Sequence, residues 1–144
     1  MKKPLVVVPG LVRKDALAYL SEHVEIKQWT ETTPMPRETL KEWLRDADGL
    51  WSINTFTIDE DLLKDAKNLK VVAQASVGYD NIKVADLTKL GIPHGNTPDV
   101  LTETVAELAF TLVAAARRRI FENMNFVASG EWANAVFRVS GPES

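Results

Sequence analysis

Apolar residues along the chain fall into short continuous runs, separated by stretches in which they recur every three or four positions. Leu5-Val6-Val7-Val8 is the first run, β-branched and without polar alternation, as in a strand buried on both faces of a parallel sheet. Pro9-Gly10 ends it, and Ala16, Leu17 and Leu20 follow at helical spacing. Val24 to Trp29 predicts a second strand, and Pro36 suits the first turn of a helix carrying Leu40, Trp43 and Leu44. The alternation repeats: Gly49 to Ile53 reads as a strand, and Thr57-Ile58-Asp59-Glu60 has the form of a capping box opening a helix with Leu62, Leu63 and Ala66. Leu69 to Ala73 predicts another buried strand, and Asn81 to Leu90 a short helix stopped by Gly91. Ile92-Pro93-His94 reads as a short strand whose proline confines it to an edge or to its own first residue. Beyond it, Leu101, Val105, Leu108, Leu112, Ala116, Ile120, Met124 and Val127 predict one amphipathic helix over residues 101 to about 129. Strands alternating with helices indicate an α/β fold with a parallel sheet and helices on both faces.

Composition narrows the function classes. At 144 residues the chain has the size of one domain, and its net charge of −3 argues against a nucleic-acid partner. The dense basic run Arg117-Arg118-Arg119 reads as a solvated helical stretch. With no cysteine, thiolate chemistry and disulfides are excluded, and an intracellular setting is compatible. The N-terminal apolar run is too short for a signal peptide, and Leu108 to Ala116 is too short to span a bilayer. A soluble cytoplasmic protein without membrane partners is the expectation.

Many catalytic patterns are missing. The sequence has no Gly-x-Gly, hence no phosphate-cradling dinucleotide fingerprint, and no Walker loop or His-Glu-x-x-His. His23 and His94 lie far apart without an obvious carboxylate partner and read as structural, and Ser52 and Ser76 lack a nucleophile elbow. Ligands of a parallel α/β sheet bind at the carboxyl ends of its strands. The segments placed there are Pro9-Gly10-Leu11, Ser52 to Thr55, and Gln74 to Asp80. In the last, Gly78 either opens the backbone amides to an anion or merely permits a tight turn, and the residues alone leave both open.

Ala75-Ser76-Val77-Gly78-Tyr79-Asp80-Asn81-Ile82 resembles the substrate loop of D-2-hydroxyacid dehydrogenases, especially the glyoxylate and hydroxypyruvate reductase branch. Gly91-Ile92-Pro93, Asn96 to Thr104, Ala106 to Phe110, Ala114 to Arg118 and Ser129-Gly130-Glu131-Trp132 follow in the family's order and spacing. The match is best from about Asp48 to Trp132.

The resemblance implies a flavodoxin-like α/β domain with a parallel sheet of about five strands and a long C-terminal helix. It implies that the backbone amides of Val77 and Gly78 hold a substrate carboxylate, with Ser76 among the substrate-binding residues, and that Ile53 and Asn54 line the cleft near the substrate's other end. Thr102 and Thr104, at the start of the long helix, would face the cofactor, plain helix capping being the competing role. It further implies residues 1–132 as a substrate-binding domain and 133–144 as a linker-like tail, the nucleotide-binding domain lying outside these residues. The parent reaction is NAD- or NADP-dependent reduction of a small 2-oxo acid. These residues alone are expected to bind no dinucleotide and to be inactive. The alternative is a stand-alone binding or assembly module. An apolar patch at Leu108, Phe110, Leu112 and Val113 predicts a homodimer through the long helix, with swapped elements as one form of it.

Overall fold

A computed structural model describes residues 2–134. They divide into two compact units, Met1–Val100 and Leu101–Ser144. The first carries strands β1 (Leu5–Val8), β2 (Glu25–Gln28), β3 (Gly49–Ser52), β4 (Val71–Gln74) and β5 (His94–Gly95). Its helices are α1 (Lys14–Ser21), α2 (Arg37–Leu44), α3 (Glu60–Leu63) and α4 (Val84–Leu90). All five strands form one sheet in the order β2-β1-β3-β4-β5, every pair parallel. The flavodoxin-like parallel architecture expected from the sequence is therefore present.

Side chains alternate across a strand, so each strand serves two faces. On one face Val7, Leu50 and Val72 pack with Leu40 and Leu44 of α2, Leu62 and Leu63 of α3 and Leu87 of α4 into a closed core. On the other, α1 buries none of its residues. There Ala16, Tyr19 and Leu20 line an apolar cavity of about 450 Å³ with Val6, Trp51, Val71 and Ala73. Asp48 ties the entry ends of three strands together. Its Oδ2 accepts from the Leu5 N–H at 2.9 Å and its Oδ1 from Lys70 Nζ at 2.7 Å. Its own N–H donates to the Leu5 carbonyl, while its carbonyl accepts from the Lys70 N–H, both at 2.8 Å. Lys70 first, and the Leu5 N–H second, hold this carboxyl below its ordinary pKa.

Two element starts differ from expectation, for one reason. The helix after β3 is capped by Asp59, whose carboxylate accepts from the Leu62 N–H at 2.9 Å, and not by Thr57. Arg37 Nη2 holds that carboxylate at 2.6 Å. Likewise α4 begins at Val84 and not at Asn81. Ile58 and Ile82 pair as a parallel β-bridge, keeping both lead-in segments extended. Gly91 ends α4 with φ of 71°, the left-handed cap foreseen. Pro93 stands just before β5, where its carbonyl accepts from the Val72 N–H at 3.1 Å.

In the second unit the single helix expected over residues 101 to about 129 is broken. Helix α5 (Thr102–Arg117) and helix α6 (Ile120–Ala128) are separated by Arg119, whose φ is 50°. A left-handed residue cannot continue a right-handed helix, and the Arg118 N–H closes α5 onto the Ala114 carbonyl at 3.0 Å. The apolar spacing runs unbroken through this point, so periodicity gave no sign of it. A 3₁₀ turn follows at Glu131–Asn134, and most of the expected tail at 133–144 lies outside the described residues.

Two measurements probe this framework. Leu50→Ala empties a fully buried site and should cost about 2–5 kcal/mol in urea unfolding. Asp48 has a lowered folded pKa, so its stabilisation is complete above the unfolded carboxyl pKa of about 3.9 and is lost as pH falls through the lower folded value. Asp48→Asn should therefore be less stable at pH 7 and show a shallower fall below about pH 4 than the parent chain.

Candidate functional site

Parallel strands deliver all their carboxyl ends to one edge of the sheet, and three of the expected segments meet there. Gly10 follows β1, Ile53 and Asn54 follow β3, and Ser76 to Gly78 follow β4. The approach is close enough that a Cβ on Gly10 would overlap Ile53 Cδ1. Asn54 lies beside the Ser76–Gly78 loop, its Oδ1 3.0 Å from Ser76 Oγ, and Ile53 lies against Gly10.

The loop's polar groups are sorted by sign. The Ser76 carbonyl accepts from the Thr97 N–H at 3.0 Å, and the Val77 carbonyl from Asn96 Nδ2 at 2.8 Å. The Gly78 carbonyl accepts from Ser76 Oγ at 2.5 Å and from Gln74 Nε2 at 3.3 Å. Among the described residues the N–H groups of Val77 and Gly78 donate to no protein acceptor. Every carbonyl of the loop is engaged, while among the described residues the consecutive amides of Ser76, Val77 and Gly78 are all free, which is the polarity of an anion site. Gly78 does not have a positive φ, and an added Cβ would find only Asp80 Oδ2, at 3.9 Å. No left-handed turn or crowding requires glycine here. What glycine leaves open is the approach to the amides.

A cavity of about 230 Å³ lies against this loop, lined by Asn54, Gly78, Asp80 and Asn81. That is below the roughly 300–1,000 Å³ of sites for drug-sized ligands and suits a small acid. Asp80 opposes an anion there, but it stands on an exposed rim where solvent and salt screen it.

Gln74 lies inside the segment expected at the strand ends, but the sequence reading assigns it no role of its own. It is only 2% exposed and ends β4 facing the site. Its Nε2 donates to Asn54 Oδ1 and, at 2.7 Å, to Asn81 Oδ1. Asn81 Nδ2 donates in turn to the Phe56 carbonyl at 2.9 Å, and Ser76 Oγ reaches Asn54 Oδ1 at 3.0 Å. Gln74 Oε1 is buried with no donor among the described residues. Such an orphan typically costs about 1–3 kcal/mol. The only signal in the sequence was a long amide side chain at the end of an otherwise apolar strand.

The remaining expectations divide. Thr102 and Thr104 occupy the first turn of α5, but Leu101 holds the N-cap position and no side chain caps the helix, so the capping role is not realised. They belong to the other unit from the loop. His23 stacks edge-on against Tyr19 and His94 lies tilted beside Tyr79, each with ring centroids 5.5 Å apart, consistent with structural roles. Among the described residues no His, Cys, Asp and Glu cluster could hold a metal, and no helix is long and apolar enough to cross a membrane.

A family model described as the catalytic domain of D-isomer specific 2-hydroxyacid dehydrogenases matches residues 5–136. A glyoxylate reductase of Aeropyrum pernix is 46% identical over 132 residues, which is 92% of this chain and 39% of that protein. A glyoxylate reductase of Thermococcus litoralis is 42% identical over 130 residues, again 39% of its length. Among solved structures, a Thermus thermophilus protein superposes with a TM-score of 0.80 at 30% identity, over 94% of this chain and 43% of that one. The NADPH-dependent glyoxylate/hydroxypyruvate reductase of Sinorhizobium meliloti, in complex with citrate, gives a TM-score of 0.79 at 28% identity, over 99% of this chain and 44% of that one. The chain spans about two-fifths of the length of these relatives. On the family match and the shared fold together, the chain belongs to the D-isomer specific 2-hydroxyacid dehydrogenase family.

Proposed function

We propose that the Ser76–Gly78 loop binds the carboxylate of a small 2-oxo or 2-hydroxy acid. Residues 1–132 then serve as the substrate-binding domain of an NAD(P)-dependent D-2-hydroxyacid dehydrogenase acting on glyoxylate- or hydroxypyruvate-type acids. The observation that carries this reading is the run of free amides from Ser76 to Gly78, set in a loop whose carbonyls are all bonded elsewhere. A carboxylate placed on them gains charge-assisted hydrogen bonds without breaking any existing one. Ile53 and Asn54 border the other end of the bound acid.

The chemistry of this reading stops at binding and orientation. Hydride transfer needs a held nicotinamide and a proton donor at the carbonyl. Thr102 and Thr104 would contribute to the cofactor side only together with residues beyond these 144, so they carry no step of the reaction by themselves. In this reading the 144 residues bind the acid and do not turn it over.

A second role, self-association through α5, is favoured by Leu108, Phe110, Leu112 and Val113, which are 57%, 77%, 52% and 66% exposed. Apolar surface of that kind is normally covered by a partner. We infer a homodimer, with exchange of α5 between copies as one form of it.

Three outcomes are expected. In amide NMR titrations with glycolate, Val77 and Gly78 should shift first and most, and unmoved resonances there would remove the carboxylate reading. Gly78→Ala should be neutral or stabilising by up to about 1 kcal/mol, because an alanine fits a negative φ and restricts the unfolded chain. The same change should weaken glycolate binding several-fold by covering the amides. Light scattering at high protein concentration should give a dimer mass, and a strictly monomeric mass would count against association through α5.

A further inference from the structure

We propose that Gln74 and Asn81 are positioning residues that fix the polarity of the Asn54 amide, so that Asn54 Nδ2 is the donor offered to the far end of a bound acid. This rests on the carboxylate reading, since it needs the acid anchored at Val77 and Gly78.

The polarity can be followed from one fixed end. The Phe56 carbonyl can only accept, so the Asn81 atom bonded to it at 2.9 Å is Nδ2 and Asn81 turns Oδ1 toward Gln74. That oxygen, at 2.7 Å, requires a donor, and the Gly78 carbonyl at 3.3 Å requires the same one, so Gln74 presents Nε2. Nε2 then meets Asn54 and imposes Oδ1 on the facing side. Turning the Gln74 amide over would set its oxygen against three acceptors. Asn54 is left with Nδ2, which has no acceptor among the described residues, on a side chain that lines the 230 Å³ cavity. A ligand atom reaching it is matched if it accepts a hydrogen bond. A methyl group leaves the N–H unpaired.

D-Glycerate and D-lactate differ by one hydroxyl at C3 and isolate that contact. Titrated into the full chain and followed by amide NMR, glycerate should bind roughly five- to tenfold more tightly than lactate, the range one net hydrogen bond provides. Asn54→Gly keeps the backbone φ of 30° accessible and removes only the amide. It should bring the two ligands to parity while lactate still shifts Val77 and Gly78. Gln74→Met, of similar length but unable to donate, should do the same. Equal binding of both acids by the parent chain, or a preference that survives Asn54→Gly, overturns the proposal while leaving the carboxylate reading intact. A ligand-free arm reads the relay itself. The Gln74 side-chain amide protons should exchange with solvent at least tenfold more slowly than those of Asn54, and Gln74→Met should move the Asn54 side-chain amide resonances. Failure of either overturns the relay whether or not any acid binds, and loss of both acids at Val77 and Gly78 with the relay intact condemns the carboxylate reading alone.

Discussion

The site depends on the bridge between Ile58 and Ile82, which lies beyond the ends of β3 and β4. Both are buried, and the bridge is closed by hydrogen bonds from the Ile58 N–H to the Asn81 carbonyl and from the Lys83 N–H to the Ile58 carbonyl, each 2.8 Å. It makes the connections leaving β3 and β4 run parallel for longer than the strands do. Asn54 and Gly78 are thereby held side by side, and Asn81 is delivered beneath them. A loop pinned at both ends has little freedom left to lose when a ligand arrives, so less of the binding energy is consumed in ordering it.

That same bridge marks the limit of what the chain's pattern could tell. The β-branched run at Leu5–Val8, the glycine cap at Gly91 and the loop after β4 were legible because each is written in consecutive residues. The helix starts were misjudged because Thr57 and Asn81 carry good local capping chemistry that a long-range pairing overrules. The break at Arg119 escaped for the opposite reason. Apolar spacing reports which face a residue takes, and a brief change of backbone direction need not disturb it.

The loop after β4 is recognisable as a string of residues, but its electrical character is not. Which carbonyls are engaged depends on Asn96, Thr97 and Gln74, whose proximity follows only from β4 lying between β3 and β5. The string therefore identified the place, and the neighbours determined its sign. Asp48 works similarly at the opposite edge, where one carboxylate engages β1 and the approach to β4 at once. One end of the sheet is fastened by a carboxylate, and the other is left with free amides.

The unequal covering of the sheet bears on the order in which the molecule comes apart. Helices α2, α3 and α4 are fastened by fully buried leucines, whereas α1 buries no residue and rests on an unfilled apolar hollow. Segments with few buried contacts open at the lowest free energy. Helix α1 is therefore the element to peel away first, followed by edge strand β2, whose residues alternate between exposed and half-buried. The ligand edge of β3 and β4 would survive that early opening, because its fastenings all lie on the better-covered side.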